Sequence, residues 1–278
     1  MQYKIIFFSI YLTILTFYLP DIANAHLGEH ESIQLLTEKI SKDDKNADLY
    51  LERGQQHRLA GHFDLAIIDF MKAENLDPEN NLFDLYIGQL FLDFGWYISS
   101  EYYLNKFLIY SPGNVTALIS LGRALSYQKK GKEAVVIYSK VLKIVPIPSP
   151  EFYNEMADAY LINNDYTGAL NILDSGIENL GNNTFLQEKA IEIELENELY
   201  QDALSRLDRL EEYSPQKEKW LYLKGQIFES FGRIDEARES YVSALKILLE
   251  RPPNKRKISA LVELEKEIKE SLARLSQK

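Results

Sequence analysis

The four histidines of this chain all lie near its N-terminus, and imidazole is a common ligand of transition metals. They are His26, His30, His57 and His62. If the chain is cleaved after Ala25, the α-amine and imidazole of His26, with His30 one helical turn later, offer three donors to a metal ion. This spacing matches no established metal motif, so His26 and His30 are kept as an alternative site only. We interpret His57 as a packed residue and His62 as a turn residue.

A second chemical feature is an acidic stretch between Glu151 and Tyr200. It contains eleven acidic side chains and one basic side chain, Lys189, and so carries a charge of −10 in a chain whose net charge is −11. Such a stretch suits a basic peptide, a polycation or a divalent cation as ligand. It equally suits a solvated face that keeps the protein soluble, and both interpretations remain open.

The sequence contains no pattern that predicts catalysis. It has no cysteine, and it lacks a G-x-S-x-G elbow, a phosphate-binding glycine loop and an H-E-x-x-H motif. We therefore predict that the protein is not an enzyme and binds no cofactor. An acidic chain without a basic stripe is also not expected to bind nucleic acid.

The elements that position these side chains are indicated by a repeat of 34 residues. Two residue types keep this period in the same phase, which chance rarely produces. The glycines are Gly54, Gly88 and Gly122, and the prolines are Pro78, Pro112 and Pro146. Helix pairs with a small residue at each close contact and a proline at each boundary would give this pattern.

The first unit, residues 47–80, resembles a tetratricopeptide repeat. That repeat has the pattern W-x2-L-G-x2-Y, then A-x3-F, then P. The matching residues are Tyr50, Gly54, His57, Ala66, Phe70 and Pro78, while Arg53 replaces the usual leucine. In a later unit the first helix is degenerate, because Ile191 stands where the glycine would be.

The resemblance covers residues 47–251 and implies an all-α fold. We expect a right-handed α-solenoid of helix-turn-helix repeats with a capping helix at each end. The predicted repeats are 47–80, 81–114, 115–148, 150–183, 184–217 and 218–251. The predicted caps are an N-terminal helix in residues 26–46 and a C-terminal helix in residues 252–278, each with apolar residues at helical spacing.

The first 25 residues are typical of a secretory signal peptide. Lys4 precedes a largely apolar run, Ile5–Leu19, and Ala23-Asn24-Ala25 forms an A-x-A cleavage site. The run is shorter than the roughly 20 residues that a membrane span needs. We therefore predict cleavage after Ala25, a periplasmic or secreted protein, and no stable membrane span in the mature chain.

The resemblance implies a binding function, because first helices of such repeats line a concave groove. We predict a scaffold or adaptor that binds a protein or peptide, possibly a basic one, during envelope or surface assembly. The candidate groove residues are Gln55, Arg58, Gln89, Arg123, Tyr127, Glu155, Asp158, Glu188 and Glu192. The alternative function is an accessory protein that binds a small ligand or a metal through the N-terminal histidines and the acidic repeats.

Overall fold

The structure is a computed structural model that describes residues 22–276. This part of the chain consists of fifteen α-helices and the turns between them, without a strand. The helices are α1 (Ile22–Lys42), α2 (Ala47–Leu59), α3 (Phe63–Leu76), α4 (Leu82–Asp93), α5 (Tyr97–Tyr110), α6 (Val115–Tyr127), α7 (Gly131–Ile144), α8 (Pro150–Ile162), α9 (Tyr166–Leu180), α10 (Thr184–Glu196), α11 (Tyr200–Tyr213), α12 (Lys217–Ser230), α13 (Ile234–Glu250), α14 (Pro253–Arg256) and α15 (Ser259–Leu275).

The helices from α2 to α13 follow one another as six pairs, and each predicted repeat contains one pair. The predicted fold class, an all-α solenoid of helix pairs, is confirmed. Most of the predicted signal peptide lies outside the described residues; α1 begins within its last residues, at Ile22. Cleavage after Ala25 therefore stays a prediction. The described chain forms two compact units, one that reaches to Ala169 and one that begins at Leu170.

Small residues on the first helix of a pair make room for a bulky side chain on the second. A Cβ atom at Gly122 of α6 would lie 2.5 Å from Cε1 of Tyr138 on α7, a ring that is 1% exposed. The same relationship joins Gly54 to Phe70, where the distance would be 2.6 Å. The glycines that mark the repeat in the sequence are thus the points where a bulky side chain of the second helix packs against the backbone of the first.

The turn inside each pair has the same backbone geometry in all six pairs. One residue of each turn has a positive φ, and its successor donates a backbone hydrogen bond to the carbonyl five residues earlier, as in a Schellman motif. The residues with positive φ are Gly61 (76°), Gly95 (78°), Lys129 (62°), Asn164 (57°), Glu198 (61°) and Gly232 (70°). Each first helix therefore ends at an equivalent point of its own repeat.

Helix α1 packs against the first pair through apolar and polar contacts. Leu36 and Ile40 of α1 are 7% exposed. Arg53 of α2, which replaces the leucine of the repeat pattern, donates to Thr37 Oγ1 of α1 at 3.1 Å. The same guanidinium binds both carboxylate oxygens of Asp69 on α3, at 2.8 and 2.7 Å. Arg53 thereby connects three helices where the pattern would place an apolar side chain.

In the second unit, α15 covers the outer side of the last pair. Ile268 and Leu275 of α15 are buried and pack in one cluster with Tyr241 and Leu248 of α13. Arg274 of α15 donates to both carboxylate oxygens of Glu229, each at 2.9 Å. A short helix, α14, precedes α15, so the C-terminal helix begins at Ser259. The division of the chain into two caps and six repeats, with the residue boundaries given above, stays a prediction.

Candidate functional site

In the first unit, the candidate groove residues occupy equivalent positions on successive first helices. Gln55, Gln89 and Arg123 lie 34 residues apart on α2, α4 and α6, and Asp158 follows 35 residues later on α8. Because the pairs share one turn geometry, these positions recur on the same side of each first helix. We call this side of α2, α4, α6 and α8 the first-helix surface.

A recurring contact connects neighbouring first helices on this surface. Gln89 Nε2 of α4 lies 3.5 Å from Ser120 Oγ of α6, at the limit of a hydrogen bond. One repeat further on, Arg123 of α6 donates to both oxygens of Glu155 on α8, at 2.9 and 2.7 Å. The partners are 31 and 32 residues apart in the chain. Equivalent positions therefore make equivalent contacts, with a neutral pair in one place and a charged pair in the other.

The pair of Arg123 and Glu155 is only partly accessible to solvent. The side chain of Arg123 is 45% exposed and that of Glu155 is 24% exposed. The hydrogen bond to Glu155 raises the pKa of Arg123, so the guanidinium stays charged at any physiological pH. Glu155 also accepts from the hydroxyl of Tyr138 at 3.4 Å. The two charges offset each other, so this part of the surface presents a polar pair with no net charge.

Three other candidates are engaged differently from what the sequence suggests. Gln89 is 7% exposed, because it packs between α4 and α6 and is not open to a groove. The guanidinium of Arg58 is already engaged, since it donates to Gln55 Oε1 at 3.0 Å and forms an ion pair with Asp93 at the end of α4. Tyr127 is 60% exposed and stacks on Tyr97, with ring centroids 4.7 Å apart.

An open cleft of about 380 Å³ lies at the start of the first-helix surface, between α1 and the helices α2 and α4. Its lining is mixed, with apolar side chains from α1 and polar ones from α2. The lining residues are Ser32, Leu35, Leu36, Lys39, Glu52, Gln55, Gln56 and Tyr86. Of the sequence candidates, only Gln55 reaches this cleft.

In the second unit, the acidic candidates of α10 are partly neutralised by lysines. Glu188 pairs with Lys219 of α12 at 3.0 Å, and Glu192 lies 3.8 Å from Lys189 on its own helix. Burial and the neighbouring Glu192 raise the pKa of Glu196. Lys189 opposes this shift, and burial is its main cause, with the repulsion by Glu192 second.

The strongest electrostatic feature of the second unit is buried and was not anticipated from the sequence. Arg206 of α11 binds Glu194 of α10 through two nitrogens, with distances between 2.6 and 3.1 Å, and both side chains are at most 5% exposed. Arg206 also donates to Asp174 at 2.8 Å and to Gln187 at 3.1 Å. Burial raises the pKa of Glu194 although Arg206 opposes this. The sequence does contain a sign of this burial, since Glu194 occupies the position that is aromatic in the repeat pattern, three residues after Ile191.

A second open cleft, of about 450 Å³, lies among α11, α12 and α13. Lys224 of α12 lies in its wall and is held by Asp208 at 2.7 Å and Glu211 at 2.9 Å. The ammonium is therefore already paired with two carboxylates of α11. The charged side chains of Lys224, Asp208 and Glu211 in the wall of this cleft therefore bind one another. None of the residues that the sequence analysis proposed for binding lines this cleft.

Three of the four histidines cluster where α1 meets the first pair. The ring centroids of His57 and His62 are 5.8 Å apart, and those of His30 and His62 are 6.3 Å apart. His57 is 8% exposed, as its interpretation as a packed residue requires, and burial lowers its pKa. His62 is half-buried, and the Nδ1 atoms of His57 and His62 are both buried without a hydrogen-bond partner.

The metal alternative stays a prediction. His26 lies in α1, but its side chain is outside the described part of the structure. Among the side chains that the structure describes, those of residues 30–276, no group of three histidine, aspartate or glutamate side chains is arranged to hold a metal ion. Over the same residues, no helix combines the length and the apolar character that crossing a membrane would require.

Comparison with known sequences gives a match to a repeat family over part of the chain. The family model described as tetratricopeptide repeat matches residues 189–252. A segment of 124 residues is 28% identical to the BBSome complex member BBS4 of Bos taurus. That segment is 45% of this chain but 24% of the relative, so the chain spans about a quarter of its length.

Comparison with solved structures extends the likeness to most of the chain. A tetratricopeptide repeat protein from Parabacteroides merdae aligns over 90% of this chain and 93% of its own, with a TM-score of 0.54 at 17% identity. Pseudomonas aeruginosa PilF aligns over 82% of this chain and 99% of its own, with a TM-score of 0.53 at 16% identity. A MamA structure from AMB-1 gives a TM-score of 0.51 at 19% identity, over 62% and 93% of the two chains. At these identities the likeness shows the fold.

Proposed function

We propose that this tetratricopeptide-repeat protein is a scaffold that binds a protein or peptide partner along its first-helix surface. The observation that carries the proposal is the recurring contact between first helices. It holds Gln89 against Ser120 and Arg123 against Glu155 on one side of successive helices. Gln89 and Ser120 are buried, so their contact holds the helices, whereas Arg123 and Glu155 are partly exposed. Arg123 and Glu155, fixed in this way, lose little conformational freedom when a partner binds, which favours recognition.

The chemistry of the first-helix surface indicates a partner that is read by shape and hydrogen bonds. Arg123 and Glu155 offset each other, and Arg58 is paired with Asp93, so the first unit offers few unpaired charges here. The exposed ring of Tyr127 adds a flat apolar contact. A peptide with alternating polar and apolar side chains fits such a lining.

The second unit supports a basic segment in the partner. Glu192 and Glu196 lie one turn apart on α10, and their mutual repulsion is part of what raises the pKa of Glu196. A lysine or arginine of a bound peptide would relieve this repulsion. This part of the proposal rests on the acidic character of α10 and does not depend on the first unit.

We propose no catalytic role and no binding to nucleic acid. Tetratricopeptide repeats generally serve as scaffolds, and the relative named above is described as a member of a complex. The charged candidates of the first unit are engaged in ion pairs, Arg58 with Asp93 and Arg123 with Glu155.

The proposed place of action is the periplasm or the extracellular space, as part of envelope or surface assembly. This rests on the N-terminal pattern of Lys4, the apolar run and the A-x-A site. Intact-mass measurement of the exported protein should give a chain that begins at His26. A chain that retains Met1 would contradict export through a cleaved signal peptide.

Site-specific photo-crosslinking in the producing cells tests the binding surface. A photoreactive residue is placed at Gln55 or Arg123 on the first-helix surface, with Asn75 on the exposed side of α3 as the matched control position. The proposal predicts that both surface positions crosslink to one and the same partner and that the control position does not. Crosslinks to that partner from Asn75 alone would place binding on the second helices and refute the proposal.

A further inference from the structure

Helix α5 exposes a stripe of large apolar side chains on its outer side. Ile98 is 76% exposed, Tyr102 is 64% exposed and Ile109 is 74% exposed. Their spacing of 4 and 7 residues places all three on one side of the helix. The opposite side of α5, with Leu104 and Phe107, is buried in the core. The stripe is therefore apolar surface that the described helices leave uncovered.

Helix α7 exposes a basic stripe that also contains an apolar residue. Lys132, Lys140 and Lys143 are exposed, and Val136 between them is 59% exposed. Their spacing again places the four side chains on one side of the helix. Within residues 22–276, none of these three lysines forms an ion pair. Their charges are thus available to an external partner.

The two stripes belong to helices that lie side by side. At one end, Glu101 of α5 pairs with Lys130, the residue that precedes α7, at 2.7 Å. At the other end, a Cβ atom at Gly113, just after α5, would lie 4.0 Å from Cδ1 of Ile144 on α7. The ends of the two helices and their flanking residues therefore meet at both ends. Positions 98, 102 and 109 of α5 recur 34 residues later as 132, 136 and 143 of α7, so the two stripes lie on equivalent sides of their pairs. We call this amphipathic surface the α5–α7 face.

The charge of this part of the chain is opposite to that of the whole. Residues 97–149 contain seven basic and two acidic side chains, a net charge of +5, whereas the whole chain carries −11. Arg123 belongs to the first-helix surface and pairs with Glu155, and Lys106 pairs with Asp84, so these two do not charge the face. The exposed lysines of α7 outnumber its one exposed acid, Glu133. One of the two acids, Glu101, is already bound by Lys130 and Gln128. Charge complementarity therefore indicates that the occupant of the α5–α7 face is anionic.

The shape of the face favours a lipid surface over a folded or helical partner. Its apolar side chains protrude from the helix, so a protein partner would need pockets that receive each of them. A lipid headgroup layer adapts to protruding side chains of any arrangement. Tyrosine and isoleucine near lysines are the combination that enters the boundary between headgroups and acyl chains, with the ammonium groups at the phosphates.

We propose that the α5–α7 face binds the surface of an anionic lipid bilayer. Ile98, Tyr102 and Ile109 enter the interfacial layer, and Lys132, Lys140 and Lys143 bind lipid phosphates. This peripheral contact needs no spanning helix. It goes beyond the scaffold function and does not depend on it, because it uses the second helices of two pairs and leaves the first-helix surface open.

The chain contains no cysteine, so single labels can report on lipid contact at chosen positions. Ile109→Cys carries an environment-sensitive fluorophore on the α5–α7 face, and Glu52→Cys carries the same label on α2. Vesicles of phosphatidylcholine with about one-third phosphatidylglycerol are added to the full chain. The label at position 109 should rise several-fold in intensity and shift to the blue, whereas the label at position 52 should not respond. Pure phosphatidylcholine vesicles should produce little change at either position.

A charge-reversal variant tests the basic stripe against a matched control. The variant combines Lys132→Glu, Lys140→Glu and Lys143→Glu. Its apparent affinity for the anionic vesicles, measured with the label at position 109, should be about a hundredfold lower, since three phosphate contacts are replaced by repulsion. The control variant reverses the exposed lysines Lys39, Lys42 and Lys45, which changes the net charge equally and should leave the response intact. Thermal unfolding of both variants confirms that each is folded.

Three results would overturn the proposal. The first is an equal response of the two charge-reversal variants, and the second is a label response at position 52 but not at position 109. The third is a response at position 109 without lipid. If that response rises with protein concentration, the face is an interface between copies of the chain. If it requires an added acidic amphipathic peptide and vesicles have no effect, the occupant is a protein.

Discussion

Gly122 of α6 lies directly beneath the ring of Tyr138 on α7, with 2.5 Å between the position of a Cβ atom and Cε1 of the ring. Real Cβ atoms do not approach another atom so closely, and the ring is fully buried. The repeat thus depends on the absence of a side chain at this point. The same absence occurs at Gly54, Gly88 and Gly225, so four of the six pairs share it, while Ala157 and Ile191 occupy the position in the other two.

A bulky side chain at Gly122 should destabilise the protein. We expect Gly122→Leu to lower the free energy of unfolding by about 1–3 kcal/mol, because the buried ring of Tyr138 occupies the space that the new side chain needs. The measurement is denaturant unfolding followed by circular dichroism. Gly113→Leu is the control, since a Cβ atom there meets nothing closer than 4.0 Å. Equal stability of the two variants would place the helix contact elsewhere.

Glu198 adopts a positive φ at a turn position where glycine would do so without steric strain. Its φ is 61°, at the position where Gly61, Gly95 and Gly232 also have positive φ. A left-handed conformation costs a residue with a side chain about 1–2 kcal/mol, and glycine avoids that cost but loses more entropy on folding. We expect Glu198→Gly to stabilise the protein by up to about 1 kcal/mol.

The control for this change is Glu198→Ala, which removes the same carboxylate and keeps the strain. Thermal unfolding should rank glycine above both glutamate and alanine at this position. If alanine stabilises as much as glycine, the gain comes from removing a negative charge from the acidic stretch and the strain argument fails.

The buried pair of Arg206 and Glu194 should respond asymmetrically to substitution. Arg206→Met leaves a buried carboxylate without its partner and should cost about 3–5 kcal/mol of stability. The double variant Arg206→Met with Glu194→Leu removes both charges and should recover most of the loss. A double-mutant cycle by denaturant unfolding measures this coupling. Additive losses would show that the two side chains act independently.

The loss in Arg206→Met should also depend on pH. Without the guanidinium, burial and the nearby carboxylates of Asp174 and Asp202 act on Glu194 unopposed, and they raise its pKa further above that of an unfolded glutamate, about 4.3. A raised carboxyl pKa favours folding at low pH, and this contribution is lost as the pH rises through the folded-state pKa. The variant should therefore differ from the wild type less in acid than near neutrality.

The histidine cluster should make the first pair sensitive to acid. Burial lowers the pKa of His57, and Arg53 and the neighbouring His62 lower it further, while Asp69 and Asp64 oppose the shift. A lowered histidine pKa gives stability that is complete above the unfolded-state pKa of about 6.5 and is lost as the pH falls through the folded-state pKa. Stability should thus decrease between about pH 7.5 and pH 5.5, where unfolded His57 binds more protons than folded His57.

His57→Tyr tests this assignment, because tyrosine is the residue of the repeat pattern at that position and does not titrate in this range. The variant should lose less stability than the wild type between the two pH values, as measured by thermal unfolding. An identical pH dependence in the variant would assign the acid sensitivity to other groups.

The period of the chain could be predicted from the sequence because it is carried by local choices. A glycine or alanine at a close contact, an aromatic ring opposite it and a proline after the second helix recur at fixed spacing, and each has a steric reason. The pairs from α2 to α13 follow from these marks. Even Ile191, which breaks the glycine pattern, is buried in a helix of the expected length.

The contacts among polar side chains were decided only by the tertiary structure. Arg123 and Glu155 are 32 residues apart, and no pattern in the sequence shows that they bind each other or that Gln89 is buried. Glu194 belongs to the acidic stretch of the sequence between Glu151 and Tyr200, yet it is buried in the core, where Arg206 binds it. The spacing of a repeat determines which side of a helix a residue occupies. The crossing of neighbouring helices and the rotamers that packing allows determine what that residue touches.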